Sequence, residues 1–289
     1  MGLSCCPQEC LGVNYLTFDK KYYQGNRIFK KINIKINTEN KNLTPKEKST
    51  IADCIKLLGE IEKERLEMAN KFKTFLYETG ACVLTNPTFE RGLVTYIVYF
   101  ITQLLICAKE KNIEYNINDF SLSNFITITL NKPYINLNQE ALTNFIKKYN
   151  FDTNMTNILT KGKDIILDFL SILPKAQKLF ENQIQIIKKL IEENLFNIPM
   201  INEILNFLEG LNFLFDFFSE ITKGIMEAQS KVTNTEKYKL LFDIANKAAD
   251  KKLKDPKEIA LYFANGDNCG KIEDWNENMT FREIQPSKY

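Results

Sequence analysis

Apolar residues recur every three or four positions along much of this chain, a pattern that predicts long amphipathic helices. Residues 44–77 give the clearest example. They open with Thr44, Pro45 and Glu47, which form a capping box with proline in the first helical turn. The apolar seam that follows, interrupted by Arg65, consists of Ile51, Cys54, Leu58, Ile61, Met68, Phe72 and Phe75. Further apolar positions beside this seam widen it, which favours a helical bundle over an isolated coiled-coil dimer.

The segment from residue 92 to residue 108 permits two interpretations. Residues 92–107 carry no charge, and Arg91 and Lys109 flank them. A helix of that length covers about 25 Å, less than the roughly 30 Å hydrocarbon core of a bilayer. Thr95, Thr102 and Gln103 also lie inside it. We therefore expect a buried central helix, with a membrane-embedded helix as the alternative.

Residues 160–228 are the most strongly helical part of the sequence. One helix carries Leu179, Phe180, Ile184, Ile187, Leu190 and Ile191. After Pro199 the spacing predicts a single amphipathic helix over 199–228 with the seam Ile201, Ile204, Leu208, Leu211, Phe215, Phe218 and Ile225. Acidic residues within this helix exclude a membrane span. Core packing, insertion of the apolar face into lipid and capture of a partner helix all fit the pattern.

Strand signals are short and few. Ile32, Ile34 and Ile36 alternate with polar residues, as in a strand, whereas residues 120–130 fit a strand or a helix equally well. Near the end of the chain, the spacing predicts a helix over 235–253 and a last short helix capped at Asp255. The whole pattern predicts an all-α fold, an elongated bundle of about seven to nine helices with long coiled-coil-like members. We divide it into an extended arm (1–43), a helical bundle (44–266) and a C-terminal tail (267–289).

Composition excludes several classes of function. The 289-residue chain contains no histidine, which removes Ser-His and Cys-His nucleophiles, histidine metal ligands and the usual base near neutral pH. Phosphate-binding, dinucleotide-binding and kinase motifs are absent from the sequence, and so is an EF-hand loop. Basic charge is almost entirely lysine, which disfavours a nucleic-acid binder. We expect no enzyme activity, no metal and no cofactor; the alternative that stays open is an enzyme that relies on carboxylates or lysine.

The first ten residues, Met1-Gly-Leu-Ser-Cys-Cys-Pro-Gln-Glu-Cys10, carry the one functional signal. They resemble the acylation signals of many peripheral membrane proteins. Removal of Met1 would leave Gly2 as a substrate for myristoylation, although Cys6 stands where serine or threonine is preferred. Because one myristoyl chain binds membranes only marginally, palmitate on Cys5 and Cys6 would supply the second attachment.

Charge is distributed unevenly along the chain. Residues 1–48 contain nine basic and four acidic residues, whereas the rest contains 29 basic and 32 acidic residues. Each basic residue close to an anionic leaflet contributes on the order of 1 kcal/mol to membrane binding. The lysines that we expect to contact lipid headgroups are Lys20, Lys21, Lys30, Lys31 and Lys35.

These observations predict a peripheral membrane protein on a cytosol-facing leaflet, a lipoprotein that carries myristate and palmitate. Its helical body would act as a scaffold or adaptor, binding an unidentified protein partner through a helical seam while the arm contacts anionic lipids. The alternative is a membrane-inserting or membrane-remodelling protein that uses residues 92–108 or the amphipathic helix 199–228.

Overall fold

The computed structural model describes residues 43–84, 89–129, 134–151, 154–209, 211 and 213–265. Nine α-helices and one β-hairpin lie within these residues, which confirms the predicted all-α bundle. The helices are α1 (Pro45–Glu78), α2 (Phe89–Glu110), α3 (Gln139–Lys148), α4 (Asn154–Leu170), α5 (Ile172–Glu192), α6 (Pro199–Glu209), α7 (Phe213–Thr233), α8 (Thr235–Asp250) and α9 (Pro256–Asn265). The strands are β1 (Ile126–Thr129) and β2 (Tyr134–Leu137), paired antiparallel with Ile126 opposite Leu137.

Local sequence signals set both ends of α1. The backbone N–H of Thr44 donates to the Glu47 carboxylate at 2.6 Å, and the N–H of Glu47 donates back to Thr44 Oγ1 at 3.3 Å, so the predicted capping box forms. After α1 ends, Gly80 has a φ of +79°, and a Cβ there would lie 2.4 Å from the carbonyl carbon of Pro256. Only glycine permits both this backbone conformation and this close approach.

The chain divides into two compact units, each built from separated parts of the sequence. Among the described residues, unit 1 contains 73–170 and 218–265, and unit 2 contains 43–72 and 171–217. Helices α1 and α7 each contribute residues to both units.

Helix α2 lies in the core of unit 1. Fifteen of its 22 residues are buried, and it packs against α8 and α9. Two of its buried polar side chains have hydrogen-bond partners, as burial usually requires, whereas the buried Thr95 hydroxyl makes no hydrogen bond to any described residue. Thr102 Oγ1 donates to the Val98 carbonyl at 2.7 Å, and Gln103 Nε2 donates to the Leu253 carbonyl at 3.0 Å. The expected burial of this helix is therefore what the structure shows.

An aromatic cluster surrounds Phe120, which is fully buried beside the same core. Its ring centroid lies 5.4 Å from that of Phe145 and 6.0 Å from that of Phe242, both with edge-on geometry. Tyr149 and Phe151 extend the cluster, with a stacked pair of rings 5.6 Å apart. The Tyr238 hydroxyl donates to the Phe120 carbonyl and thereby satisfies a polar group inside the cluster. Such ring pairs contribute about 0.5–1.5 kcal/mol each beyond the area that they bury.

In unit 2, the described part of α1 buries the seam predicted from its spacing. Ile51, Cys54, Leu58, Ile61 and Met68 are all buried. The period of the apolar residues therefore identified the inward face of this helix.

Arg65, the exception in that seam, is also fully buried. Its Nε and Nη2 atoms donate to the two carboxylate oxygens of Glu62, each at 2.9 Å. This bidentate pair holds the guanidinium charge within an otherwise apolar face.

The prediction of one helix over 199–228 is wrong. Helix α6 ends at Glu209 and α7 begins at Phe213, although Ile201, Ile204 and Leu208 occupy buried positions as expected. The three-and-four spacing continues across this break because the intervening residues preserve the apolar period. Periodicity alone therefore does not reveal the end of the helix.

The sequence left strand and helix open for residues 120–130. Of these, 120–129 are described, and they form the end of one 3-10 helix, a second 3-10 helix and then β1. The predicted arm (1–43), except its last residue, and the predicted tail (267–289) lie outside the described residues.

Candidate interaction surface on helix α5

Helix α5 of unit 2 carries apolar residues on two faces, and only one of these faces is buried. The inward face consists of Ile172, Ala176, Leu179, Asn182, Ile186 and Leu190. On the outward face, Ile184, Ile187 and Ile191 expose 53%, 36% and 59% of their surface. Because residues three, four and seven positions apart share one side of a helix, these isoleucines form a single stripe. We call it the isoleucine stripe.

Polar contacts with α1 fix the rotation of α5 about its axis. Lys189 Nζ lies 3.0 Å from the Asp53 carboxylate, Asn182 Nδ2 lies 3.4 Å from Glu60, and Lys175 pairs with Glu67. Residue numbers rise along one helix as they fall along the other, so the two helices run antiparallel within unit 2. These contacts hold the buried face of α5 inward, and the isoleucine stripe consequently faces solvent.

The pKa values of these contact residues shift in the directions expected for ion pairs. The hydrogen bond to Asp53 raises the pKa of Lys189, and the hydrogen bond from Lys175 lowers the pKa of Glu67. The hydrogen bond to Glu67 likewise raises the pKa of Lys175, so Lys189, Lys175 and Glu67 stay charged around neutral pH.

Two charged residues border the isoleucine stripe on its exposed side. Glu181 and Lys188 are both exposed, seven residues apart, and thus lie on the same edge of the helix. Glu181 accepts a hydrogen bond from Gln177 Nε2 at 3.0 Å. Lys188 forms no ion pair with any residue that the structure describes. The surface thus combines an apolar centre with one negative and one positive charge along its edge.

The spacing along this surface is that of a coiled-coil seam. Leu173, Gln177, Phe180, Ile184, Ile187 and Ile191 follow one another at intervals of four, three, four, three and four residues. Leu173 and Phe180 are half-buried and continue the isoleucine stripe toward the start of α5. An exposed seam of this kind is chemically suited to pack against another helix.

Two of the described cysteines, Cys54 and Cys82, show no sign of activation. Burial raises the pKa of Cys54, and it raises the pKa of Cys82 to about 12, so both thiols stay protonated at neutral pH. Among the described residues, no group of three or more cysteine, aspartate or glutamate side chains is arranged to hold a metal ion.

The residues predicted to form the membrane anchor lie outside the described part of the chain. These are Gly2, Cys5 and Cys6 for acylation and Lys20, Lys21, Lys30, Lys31 and Lys35 for lipid contact. Their roles stay predictions. One described helix, α2, is long and apolar enough to cross a membrane, but 78% of its most apolar window is buried inside the structure. Its length and composition are thus only weak evidence for a membrane span.

The sequence pattern did not predict the isoleucine stripe as a second apolar face of the helix, although the sequence contains a signal for it. The apolar positions of 179–191 are too many for one helix face, because Leu179 and Leu190 point to one side while Ile184, Ile187 and Ile191 point to another. Two interleaved apolar stripes on one helix are more than one buried face accounts for.

Comparison with known proteins adds no assignment: no family model matches the chain, and no curated protein or solved structure matches it.

Proposed function

We propose that this protein is a peripheral membrane adaptor on a cytosol-facing leaflet. Acyl chains on Gly2, Cys5 and Cys6 anchor it, the basic arm contacts anionic headgroups, and the helical body presents the isoleucine stripe to a protein. The observation that carries the adaptor role is the exposure of Ile184, Ile187 and Ile191 on a helix whose other face is fully packed. A contiguous apolar surface on a folded unit marks a place of association.

The anchor is supported by the combination of three features rather than by one of them. Gly2 supplies the acylation site, the adjacent Cys5 and Cys6 supply a second attachment, and the lysines of residues 1–48 supply electrostatic attraction. Two or more signals together give durable attachment, which one myristoyl chain does not.

Intact mass of the protein purified from its native cell, with and without hydroxylamine, tests the anchor. We expect a myristoyl mass that resists hydroxylamine and one or two palmitoyl masses that it removes. Gly2→Ala, or Cys5→Ser with Cys6→Ser, should move the protein to the soluble fraction. Cys10→Ser is the matched control and should leave it on the membrane. An unmodified N-terminus, or retention of the Gly2→Ala variant on membranes, contradicts the anchor.

Insertion of a helix into the bilayer is the alternative function, and α2 (Phe89–Glu110) is its main candidate. The observation that favours it is the length and apolar composition of that helix. Insertion of α2 would expose the core that this helix shares with α8 and α9. Insertion therefore costs more free energy than attachment through acyl chains. Extraction of membranes with alkaline carbonate separates the two functions. Resistance that persists after Gly2, Cys5 and Cys6 are all replaced would favour insertion.

A further inference from the structure

We infer that the isoleucine stripe binds a second copy of this chain, with the two α5 helices packed antiparallel about a two-fold axis. The inference deepens the adaptor role proposed above and rests on it, because it takes the stripe to be a protein-binding surface. It does not rest on acylation. The order of apolar and charged residues along α5 is what identifies a second copy of this chain as the partner.

The apolar residues complement themselves in the antiparallel arrangement. When Ile184 of one copy faces Ile187 of the other, the coiled-coil spacing brings Phe180 opposite Ile191. The two-fold axis repeats each contact, which gives four successive layers between the helices. Every layer pairs apolar side chains that the single chain leaves exposed or half-buried. A two-fold interface requires such a self-complementary patch.

The bordering charges select the antiparallel direction. In the same register, Glu181 of each copy lies beside Lys188 of the other, so the dimer gains two ion pairs of opposite sign. A parallel, in-register pair would instead place Glu181 beside Ala176 and Lys188 beside Gln183, where no charge is matched. Within the described part of the chain, the contact that competes for Glu181 is the exposed hydrogen bond from Gln177.

The size of the surface sets the strength of the expected dimer. From Phe180 to Ile191 the helix rises only about 16 Å. Interfaces this small fall at the weak end of protein–protein association, and we expect a dissociation constant on the order of 10 µM. Attachment of both copies to one membrane would raise their effective concentration and favour the dimer without any new contact.

Sedimentation equilibrium of the full chain, made in a host that lacks N-myristoyltransferase, tests the dimer apart from the anchor. Under reducing conditions and between 1 and 200 µM, we expect a concentration-dependent monomer–dimer equilibrium. Ile184→Glu buries a charge at the centre of the interface and should weaken the dimer by at least about 30-fold. Leu240→Glu is the matched control, because Leu240 is 64% exposed on α8 of unit 1, and it should change nothing.

A charge exchange tests the direction of the helices. Glu181→Lys alone and Lys188→Glu alone should each weaken the dimer by about fivefold, since each places like charges in contact. The double variant restores opposite charges and should return the affinity to that of the parent protein. Both positions are exposed, so the fold should be retained, and far-UV circular dichroism checks this for every variant.

Three outcomes overturn the inference. They are a chain that stays monomeric throughout the concentration range, a dimer that Ile184→Glu leaves intact, and a double charge variant no tighter than the single ones. Binding of the unacylated monomer to vesicles of phosphatidylcholine and phosphatidylserine, lost in Ile184→Glu, would assign the stripe to lipid instead. Because this protein carries no acyl chain, failure of the dimer leaves the anchor standing, and failure of the mass test leaves the dimer standing.

Discussion

Helices α2 and α5 are nearly equal in length, at 22 and 21 residues, but they hide their apolar surface to very different extents. Helix α2 buries fifteen residues because other elements of unit 1 enclose it. Helix α5 buries six, along the one face that is turned toward the core of unit 2. By composition α2 is the helix that resembles a membrane span, whereas α5 is the described helix that exposes three large apolar side chains on one side. Apolar content alone therefore does not predict how much of a helix is exposed; burial by the other elements of its unit decides it.

The largest expected effect lies in the aromatic cluster of unit 1. Phe120→Ala would remove a fully buried ring that contacts Phe145 and Phe242, and it should destabilise the protein by about 3–5 kcal/mol. Urea unfolding followed by circular dichroism measures the loss, and native-state hydrogen exchange should show weaker protection within unit 1. A loss below 1 kcal/mol would mean that the enclosure of this core contributes little to stability.

A matched pair of substitutions sharpens the comparison within α5 itself. Ile186 is fully buried, and Ile184 is 53% exposed two positions away. Ile186→Ala should cost about 2–4 kcal/mol, whereas Ile184→Ala should change the stability of the monomer by about 0.5 kcal/mol or less. Unfolding at sub-micromolar concentration keeps association from masking the difference. Equal costs would contradict the two-faced character of the helix.

The buried ion pair of α1 provides the next test. Glu62→Ala would leave the Arg65 charge without its bidentate acceptor, and we expect a loss of about 2 kcal/mol, moderated because Glu62 is partly exposed. Arg65→Met removes the charge and keeps the apolar volume, so stability should change by less than about 1 kcal/mol. If both variants lose stability equally, Arg65 acts through its other contacts rather than through Glu62.

The smallest effect concerns Asp119 at the edge of the aromatic cluster. Hydrogen bonds from Tyr149 and then Lys148 lower its pKa in the folded protein. Such a group stabilises the fold above its unfolded pKa, and this contribution is lost as the pH falls through the folded value. Tyr149→Phe should raise the pKa of Asp119 toward its usual value and make acid unfolding depend less on this residue. Carboxyl NMR titration measures the shift, and an unchanged pKa would assign it to Lys148 alone.

The sequence predicted the features of the fold that depend on residues close together in the chain. The capping box at Thr44 formed, and the predicted seam positions of α1 are buried, since a helix period and a cap depend only on neighbouring residues. The break between Glu209 and Phe213 was not predicted, because the apolar period continues across it. Residues 126–129 form a strand because they pair with residues 134–137. The sequence of 126–129 alone does not specify that pairing.

The candidate surface could be predicted only in part. The sequence shows that 179–191 contains surplus isoleucine, but which stripe faces inward depends on where Asp53, Glu60 and Glu67 of α1 meet the helix. Those contacts join residues more than a hundred positions apart. The acylation residues, in contrast, were read from adjacent positions and stay predictions.

The assembly of unit 1 from distant parts of the chain has a consequence during synthesis. Gln103 of α2 bonds to the Leu253 carbonyl, and Lys109 pairs with Asp250, so the core helix waits for partners made about 140 residues later. The nascent chain therefore leaves the ribosome with the side of α2 that packs against α8 and α9 still uncovered, a state that favours aggregation or chaperone binding. Enzymes acting on the N-terminus would meet it well before this unit can fold. A chain truncated before α8 should accordingly be insoluble, however complete its N-terminal signals are.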